Sequence, residues 1–535
     1  MLLAEVVAAS ADVAATRSRS AKAARVAQVL RAAAPAEVPV VTSWLAGEPR
    51  QRKLGVGWRT LAGRRQAARE AAAAEQERSA PGLHVLAVDE ALDRLATTSG
   101  PGSAARREAL LDQLFAAADD DEGAFLVRLL TGELRQGALE GVVLDAVVAA
   151  SGAPAALVRR AAMLTGSLPA TAGAALAGGS PEAAVAALSA VGLEVGRPVH
   201  PMLASPGGSV ADALADLGAD VVVEPKLDGA RIQVHLDRTA PDPSRRVRVW
   251  TRTLREITDG VPEIAAAALA LPCRSAVLDG ETLALDDDGR PRRFQDTMSR
   301  FGSAPGTLDD DDDDASRVLL SPFFFDLLHL DGCDLLDEPL EARLAALDGL
   351  LAAPEHAPLR MPGARRPDPG AAQAALAAAL AAGHEGVVVK ELASSYAAGR
   401  RGRAWQKVKP VHTLDLVVLA AEWGSGRRTG SLSNIHLGAR DPDGGPPVMV
   451  GKTFKGMTDE LLAWQTATFG QHAVAEPRWG VVLRPELVVE VALDGAQRSS
   501  RYPGGVALRF ARVLRYRPDK TAADADDLDA VRALL

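Results

Sequence analysis

Lysine is scarce in this 535-residue chain: nine lysines stand against 51 arginines. Arginine suffices wherever a fixed cation is needed. The few lysines are therefore candidates for work that needs a compact ammonium or an amine able to lose its proton. Six of them, Lys226, Lys390, Lys407, Lys409, Lys452 and Lys455, lie in or beside motif-like stretches. Cysteine is scarcer still. Cys273 and Cys333 cannot build a disulfide framework or a four-thiolate zinc site. No apolar run is long enough to span a bilayer. Met1 to Arg19 carries Glu5 and Asp12 and lacks the basic start and apolar block of a secretory leader. These absences predict a cytoplasmic protein with no membrane partner.

What is present predicts folded cores: 47% of residues are apolar, and the length suits about three domains at roughly 150 residues each. Net charge is −9, unevenly spread. Residues 1–197 carry 21 basic and 21 acidic side chains, and residues 411–535 carry 15 of each. The whole imbalance falls in 198–410, with 24 basic and 33 acidic, including the run Asp309 to Asp314. That run reads as a solvated loop. The net charge neither supports nor excludes a nucleic-acid partner.

Residues 1–197 are rich in alanine and leucine at helical spacing, which predicts an all-helical domain. Two stretches in it combine arginine or lysine with glycine: Arg50-Gln51-Arg52-Lys53-Leu54-Gly55, and Leu134-Arg135-Gln136-Gly137 ahead of the apolar run Val142 to Ala150. Glycine at a helix start lets a phosphate approach backbone N–H groups, and arginine adds charge. An ordinary helix–helix turn reads as well from the residues alone. Residues 198–410 alternate strand-like runs with helices, and 411–535 read as short strands split by Gly/Pro turns, which suggests a small β-barrel.

The middle region centres on Glu224-Pro225-Lys226-Leu227-Asp228-Gly229-Ala230-Arg231, which follows the β-branched run Val221-Val222-Val223. A lysine amine is a nucleophile only when deprotonated, and adjacent carboxylates oppose that. Glu224 and Asp228 therefore need another task, such as orienting the amine or contacting a ligand. Four later stretches place charge at strand-like runs. Arg252 ends one run, and Glu281 sits inside the apolar run from Ala276 to Leu285. Glu385 precedes Val387-Val388-Val389, and Lys407 and Lys409 alternate near the end of the region. Such a carboxylate must be paired, protonated or cation-bound, and a buried salt bridge is the plain alternative. Two ammonium groups on one strand face call for an anion between them. Phe325, in Phe323-Phe324-Phe325-Asp326, is a core residue or a platform for a purine.

Lys-x-Asp-Gly followed by Arg resembles the nucleotidyl-lysine motif of ATP-dependent DNA ligases and mRNA capping enzymes, and the later stretches occur in that superfamily's order. The chain as a whole resembles three-domain ATP-dependent DNA ligases of archaeal and eukaryotic type, and the bacterial ligase B type. The resemblance implies a multidomain α+β protein. Its parts are a helical DNA-binding domain (1–197), an ATP-grasp-like nucleotidyltransferase domain (198–410) and an OB-fold domain (411–535). It implies that Lys226 takes AMP from ATP, passes it to a DNA 5′-phosphate, and that a 3′-hydroxyl then seals the nick, in replication, recombination and repair. Glu224, Arg231, Arg252, Glu281, Phe325, Arg401 and Lys407 would contact the nucleotide. Lys409, Arg509 and Arg512 would contact further phosphates, and Glu281 and Glu385 would hold Mg²⁺. Arg50, Arg52, Lys53, Arg135 and Gly137 would meet nicked double-stranded DNA, with the protein acting as a monomer. Ala511 stands where the family's last motif, Arg-Phe-Pro-Arg, has proline. A capping guanylyltransferase has no use for the helical domain. An NAD-dependent ligase normally carries a four-cysteine zinc module, and a non-catalytic scaffold has no need of Lys226, Glu281, Glu385 and Lys407 together.

Overall fold

The structure is a computed structural model describing residues 1–51, 54–74, 82–134, 136, 140–292, 297–298, 300, 319–397, 401–425 and 428–535. The acidic run at 309–314, Arg52, Lys53, Arg135 and Gly137 lie outside the described residues. Two compact units emerge, Met1–Val408 and Lys409–Leu535.

Among the described residues, the first 197 form helices from Leu3–Ala15 to Pro181–Ser189. Local chemistry sets their ends. Asp119 accepts from the Glu122 N–H and Glu122 reaches back to Asp119, closing a capping box on Asp120–Leu130. Gly166 ends Ala155–Thr165 in the left-handed region. Trp44, Phe125, Leu30, Leu45 and Leu126 are fully buried in the shared core. A second buried group joins this region to the next one: Met163 and Leu164 pack with Val199, Met202, Leu227, Phe325 and Trp405.

Two five-stranded sheets follow. The first has the order β1-β10-β9-β2-β8: β1 (Leu203–Pro206), β2 (Val221–Lys226), β8 (Ala364–Arg365), β9 (Gly386–Glu391) and β10 (Arg401–Val408). Only its β1–β10 pair is parallel. The second is antiparallel with the order β4-β3-β5-β6-β7: β3 (Ala230–Asp237), β4 (Val247–Thr251), β5 (Ser275–Ala284), β6 (Leu320–Leu330) and β7 (Cys333–Asp334). The chain crosses from sheet to sheet at Leu227-Asp228-Gly229. A Cβ at Gly229 would lie 2.4 Å from the Thr282 carbonyl oxygen, so only glycine lets the crossing pass this close to β5. Gly280 is equally confined, 2.8 Å from the Phe323 carbonyl oxygen on the same measure. Behind β6, the fully buried Arg343 forms a bidentate pair with Asp326 at 2.7 and 3.0 Å. Removing either partner would strand a buried charge at a cost of about 3–5 kcal/mol.

The C-terminal unit is strand-rich: β11 (His412–Trp423), β12 (Leu432–Ala439), β13 (Val448–Thr453), β14 (Ala473–Ala475), β15 (Gly480–Leu483), β16 (Val488–Leu493), β17 (Gly495–Arg498), β18 (Val506–Arg509) and β19 (Arg512–Tyr516). Long β11 pairs with β12, β15 and β16, and helix Asp459–His472 contributes Leu462 and Phe469 to the core. The stretch from Leu508 to Arg515, which holds Arg509 and Arg512, is not one strand. Phe510 adopts φ 54 and breaks it, so β18 pairs with β17 while β19 pairs with β16. Among the described residues, no helix is long and apolar enough to cross a membrane.

Candidate active site

A cavity of about 510 Å³ lies where the two sheets meet, lined by Lys226, Arg231, Glu281, Phe325, Lys390 and Lys407 among others. Lys226 is the last residue of β2, and its neighbour on β9 is Gly386. The Glu385 N–H donates to the Lys226 carbonyl oxygen at 2.9 Å, and the Glu385 carboxylate accepts from the Lys226 ammonium. The nucleophile candidate is thus held by the residue expected to hold metal. On the opposite wall, β5 carries Glu281. Burial pushes its carboxyl up to about 7, against the pull of Arg231 and Lys226 and with the repulsion of Asp279 and Glu385.

Glu224, Arg252, Phe325 and Lys407 line the same cavity. Glu224 is buried, and its Oε1 has no hydrogen-bond partner. Arg231 also lines the cavity, yet its guanidinium is committed: it grips Asp279 at 3.0 and 2.6 Å and donates to the Met202 carbonyl oxygen at 2.5 Å. Burial, the largest single influence, lowers its pKa, but Asp279, Tyr396 and Glu281 together turn the net shift upward. The Tyr396 hydroxyl donates to the same Asp279 at 2.6 Å. Arg401 begins β10, and its side chain is outside the described residues.

Lys390 and Trp405 are wall residues that sequence reasoning did not assign. Lys390 is buried 2.5 Å from Glu224 Oε2, and its ammonium lies 4.1 Å from the Phe325 ring centroid and 4.4 Å from that of Trp405. Trp405 Nε1 makes no hydrogen bond. The available signal for Lys390 was lysine scarcity itself. Trp405 carried no local signal distinguishing it from core. Two buried polar atoms without hydrogen bonds, Glu224 Oε1, which lies 3.7 Å from Arg360 Nη1, and Trp405 Nε1, fit a cavity built for a ligand with donors and acceptors of its own. The carboxylates of Glu281 and Glu385 suit a hard cation that keeps water and substrate oxygens as its remaining ligands.

Other expected residues are placed elsewhere. Lys409 does not share a strand face with Lys407, because β10 ends at Val408; its ammonium pairs with Asp494 in the C-terminal unit. Arg509 ends β18 and Arg512 opens β19. Arg50 is engaged within the helical region, by Asp89 and, at 3.0 Å, by Asp93. Within the second arginine–glycine stretch, buried Gln136 receives Ser10 Oγ and donates to the Leu45 carbonyl oxygen, both at 2.5 Å. That side chain anchors the approach to helix Glu140–Ser151.

Comparison with known proteins agrees along the whole chain. The family model "DNA ligase N terminus" matches residues 65–148, "ATP dependent DNA ligase domain" matches 201–409, and "ATP dependent DNA ligase C terminal region" matches 428–520. A probable DNA ligase of Rhodococcus opacus (strain B4) is 59% identical, covering 100% of both chains. One of Rhodococcus jostii (strain RHA1) is 60% identical over the same shares. The solved structure Pmar-Lig_PreS3 has a TM-score of 0.61 at 16% identity, covering 96% of this chain and 99% of that one, and so shares its fold. With the lysine cavity in place and relatives this similar from end to end, the chain belongs to the ATP-dependent DNA ligase family, whose members seal nicks through an adenylate intermediate.

Proposed function

We propose that Lys226 is the residue that carries AMP. The observation behind this is its place at the end of β2, facing a cavity whose walls supply a buried acceptor, an aromatic ring and several cations. In the first step the Lys226 Nζ lone pair forms a bond to the α-phosphorus of ATP, and the bond to pyrophosphate breaks. The amine must first give up a proton, and the bonded Glu385 carboxylate is placed to receive it. Phe325 offers its ring to adenine, with Glu224 Oε1 as acceptor for a base amine. Lys407 neutralises the α-phosphate, and Arg252 and Arg401 contact the nucleotide. Arg231 acts from behind, fixing the floor through Asp279. With Mg²⁺ bound, Glu281 and Glu385 would hold it, and it would offset phosphate charge during displacement.

The later steps repeat the same in-line logic. A DNA 5′-phosphate oxygen attacks the lysine-bound phosphorus, Lys226 leaves, and the 3′-hydroxyl then displaces AMP. Positioning and charge neutralisation carry most of such catalysis. Arg509 and Arg512 serve the β- and γ-phosphates in the first step. The substrate is nicked duplex DNA met in replication, recombination and repair, and the protein works as a monomer with helical, nucleotidyltransferase and strand-rich domains. Incubation with labelled ATP, GTP or NAD, followed by mapping of the label, tests the reading. ATP label on Lys226 is expected, and label from GTP or NAD alone would sink it.

A further inference from the structure

The turn after β4 carries three cavity-lining residues, Arg252, Thr253 and Arg255. The Thr251 N–H donates to the Arg255 carbonyl oxygen at 2.9 Å, and the Leu254 N–H donates to the Thr251 carbonyl oxygen at 2.9 Å. Leu254 closes the turn at φ 60, in the left-handed region. Glycine would hold this conformation at no steric cost, so a branched side chain here has to gain something from its surroundings.

Its surroundings are the helical region. A Cβ built at Gly166, the residue ending helix Ala155–Thr165, would lie 3.1 Å from Leu254 Cδ1 and 2.6 Å from the Pro198 carbonyl oxygen. Gly166 is itself at φ 59, so it is glycine for two reasons: the backbone requires it, and the space belongs to Leu254 and the linker. Beside this contact lies a second cavity of about 410 Å³, whose lining takes Arg19, Asp145 and Arg159 from the helices, His200 from the linker and Arg252 from the turn. Arg252 thus borders both cavities.

We propose that Leu254 is a positioning residue through which the helical region sets the Arg252 turn, so that this region forms part of the ATP-binding apparatus as well as meeting DNA. The inference rests on the reading that Arg252 contacts the nucleotide. The side chain packs on Gly166, the left-handed backbone turns the chain back, and Arg252 and Arg255 are held at the cavity.

The test measures AMP transfer to Lys226 at varied ATP, without DNA, in the full chain. Leu254→Gly keeps the left-handed backbone and removes the packing. Its KM for ATP should rise about tenfold, the worth of one charge-assisted hydrogen bond, with cooperative melting retained. Leu254→Met, which keeps an apolar side chain against Gly166, should stay near the wild-type KM. Gly166→Ala should raise KM in the same direction, and the double variant should add little beyond the larger single effect. A folded Leu254→Gly protein with wild-type KM, beside an Arg252→Ala protein with raised KM, overturns the inference. A lower melting temperature and smaller active fraction at unchanged KM would mark Leu254 as structural only, and also overturns it. Unchanged KM in Arg252→Ala overturns the reading of Arg252 beneath it.

Discussion

Lys226 and Glu385 are joined twice, once by backbone and once by side chain. The Glu385 N–H donates to the Lys226 carbonyl oxygen at 2.9 Å while its carboxylate holds the Lys226 ammonium. The pairing of β2 with β9 at Lys226 and Gly386 imposes the first contact, and the second follows from it. Lys226→Arg keeps a cation but cannot supply a neutral amine, so no labelled adduct and no sealing from ATP are expected. Glu385→Gln should still fold and form the adduct roughly 100-fold more slowly, in the range lost with a general base. A wild-type rate in a gel assay with labelled ATP would make the pair purely structural.

Glu281 faces the same amine from the other sheet. Glu281→Gln preserves shape and removes the charge that would hold a hard cation. Adenylation should fall by about 100-fold at low Mg²⁺ and recover in part at high Mg²⁺, as when a metal site loses one supporting group. Equal rates and equal Mg²⁺ dependence in the two proteins would leave Glu281 as a half-buried structural carboxylate.

Arg509 and Arg512 are separated by the left-handed turn at Phe510. On one continuous strand, residues three apart face opposite sides. The break removes that constraint. Replacing both by alanine should lower adenylation by ATP about 100-fold or more, since charge on the leaving pyrophosphate goes unmet. Sealing of a nick that already bears AMP should largely survive. Equal losses in both assays, relieved at low salt, would instead make them DNA-phosphate contacts.

Stability should fall on acidification through His235. Its Nδ1 accepts from the Gly196 N–H at 2.9 Å, and its Nε2 lies 2.9 Å from Gln233 Oε1, which fits a neutral ring protonated at Nε2. Burial, reinforced by Arg248 and His329, lowers its pKa to about 3. Below the unfolded value near 6.5, the unfolded chain binds a proton that the folded chain refuses. This stabilisation is fully present above pH 6.5 and is lost as pH falls towards 3, at up to about 1.4 kcal/mol per pH unit. Urea melts at pH 7 and pH 5 should differ more in wild type than in His235→Asn. Parallel slopes would show that His235 is not the titrating group.

The sequence was most legible where chemistry is local. Lys226, Asp228 and Gly229 form one strand end and one turn, so their spacing alone carried the nucleotidyl-lysine reading. Gly229 is required for a reason the spacing hides, the carbonyl of Thr282 on β5. Glu281, Phe325 and Lys407 could each be singled out as a charge or ring in a strand-like run. Lys390 and Trp405 could not be assigned, because their role depends on lying against Phe325 and Glu224 from other strands.

By itself the sequence determined the succession of helical, mixed and strand-rich regions, the candidate nucleophile and the family resemblance. Those follow from periodicity, turn residues and short-range spacing, all of which act within a few residues. The tertiary structure decided which charges are engaged and by whom. Arg231 is taken by Asp279, Arg50 by Asp89 and Asp93, Lys409 by Asp494, and Lys226 by Glu385. Ion pairing falls off over a few ångströms through space and takes no account of separation along the chain. Partners from 39 to 159 residues apart are therefore chosen by how the sheets and helices pack.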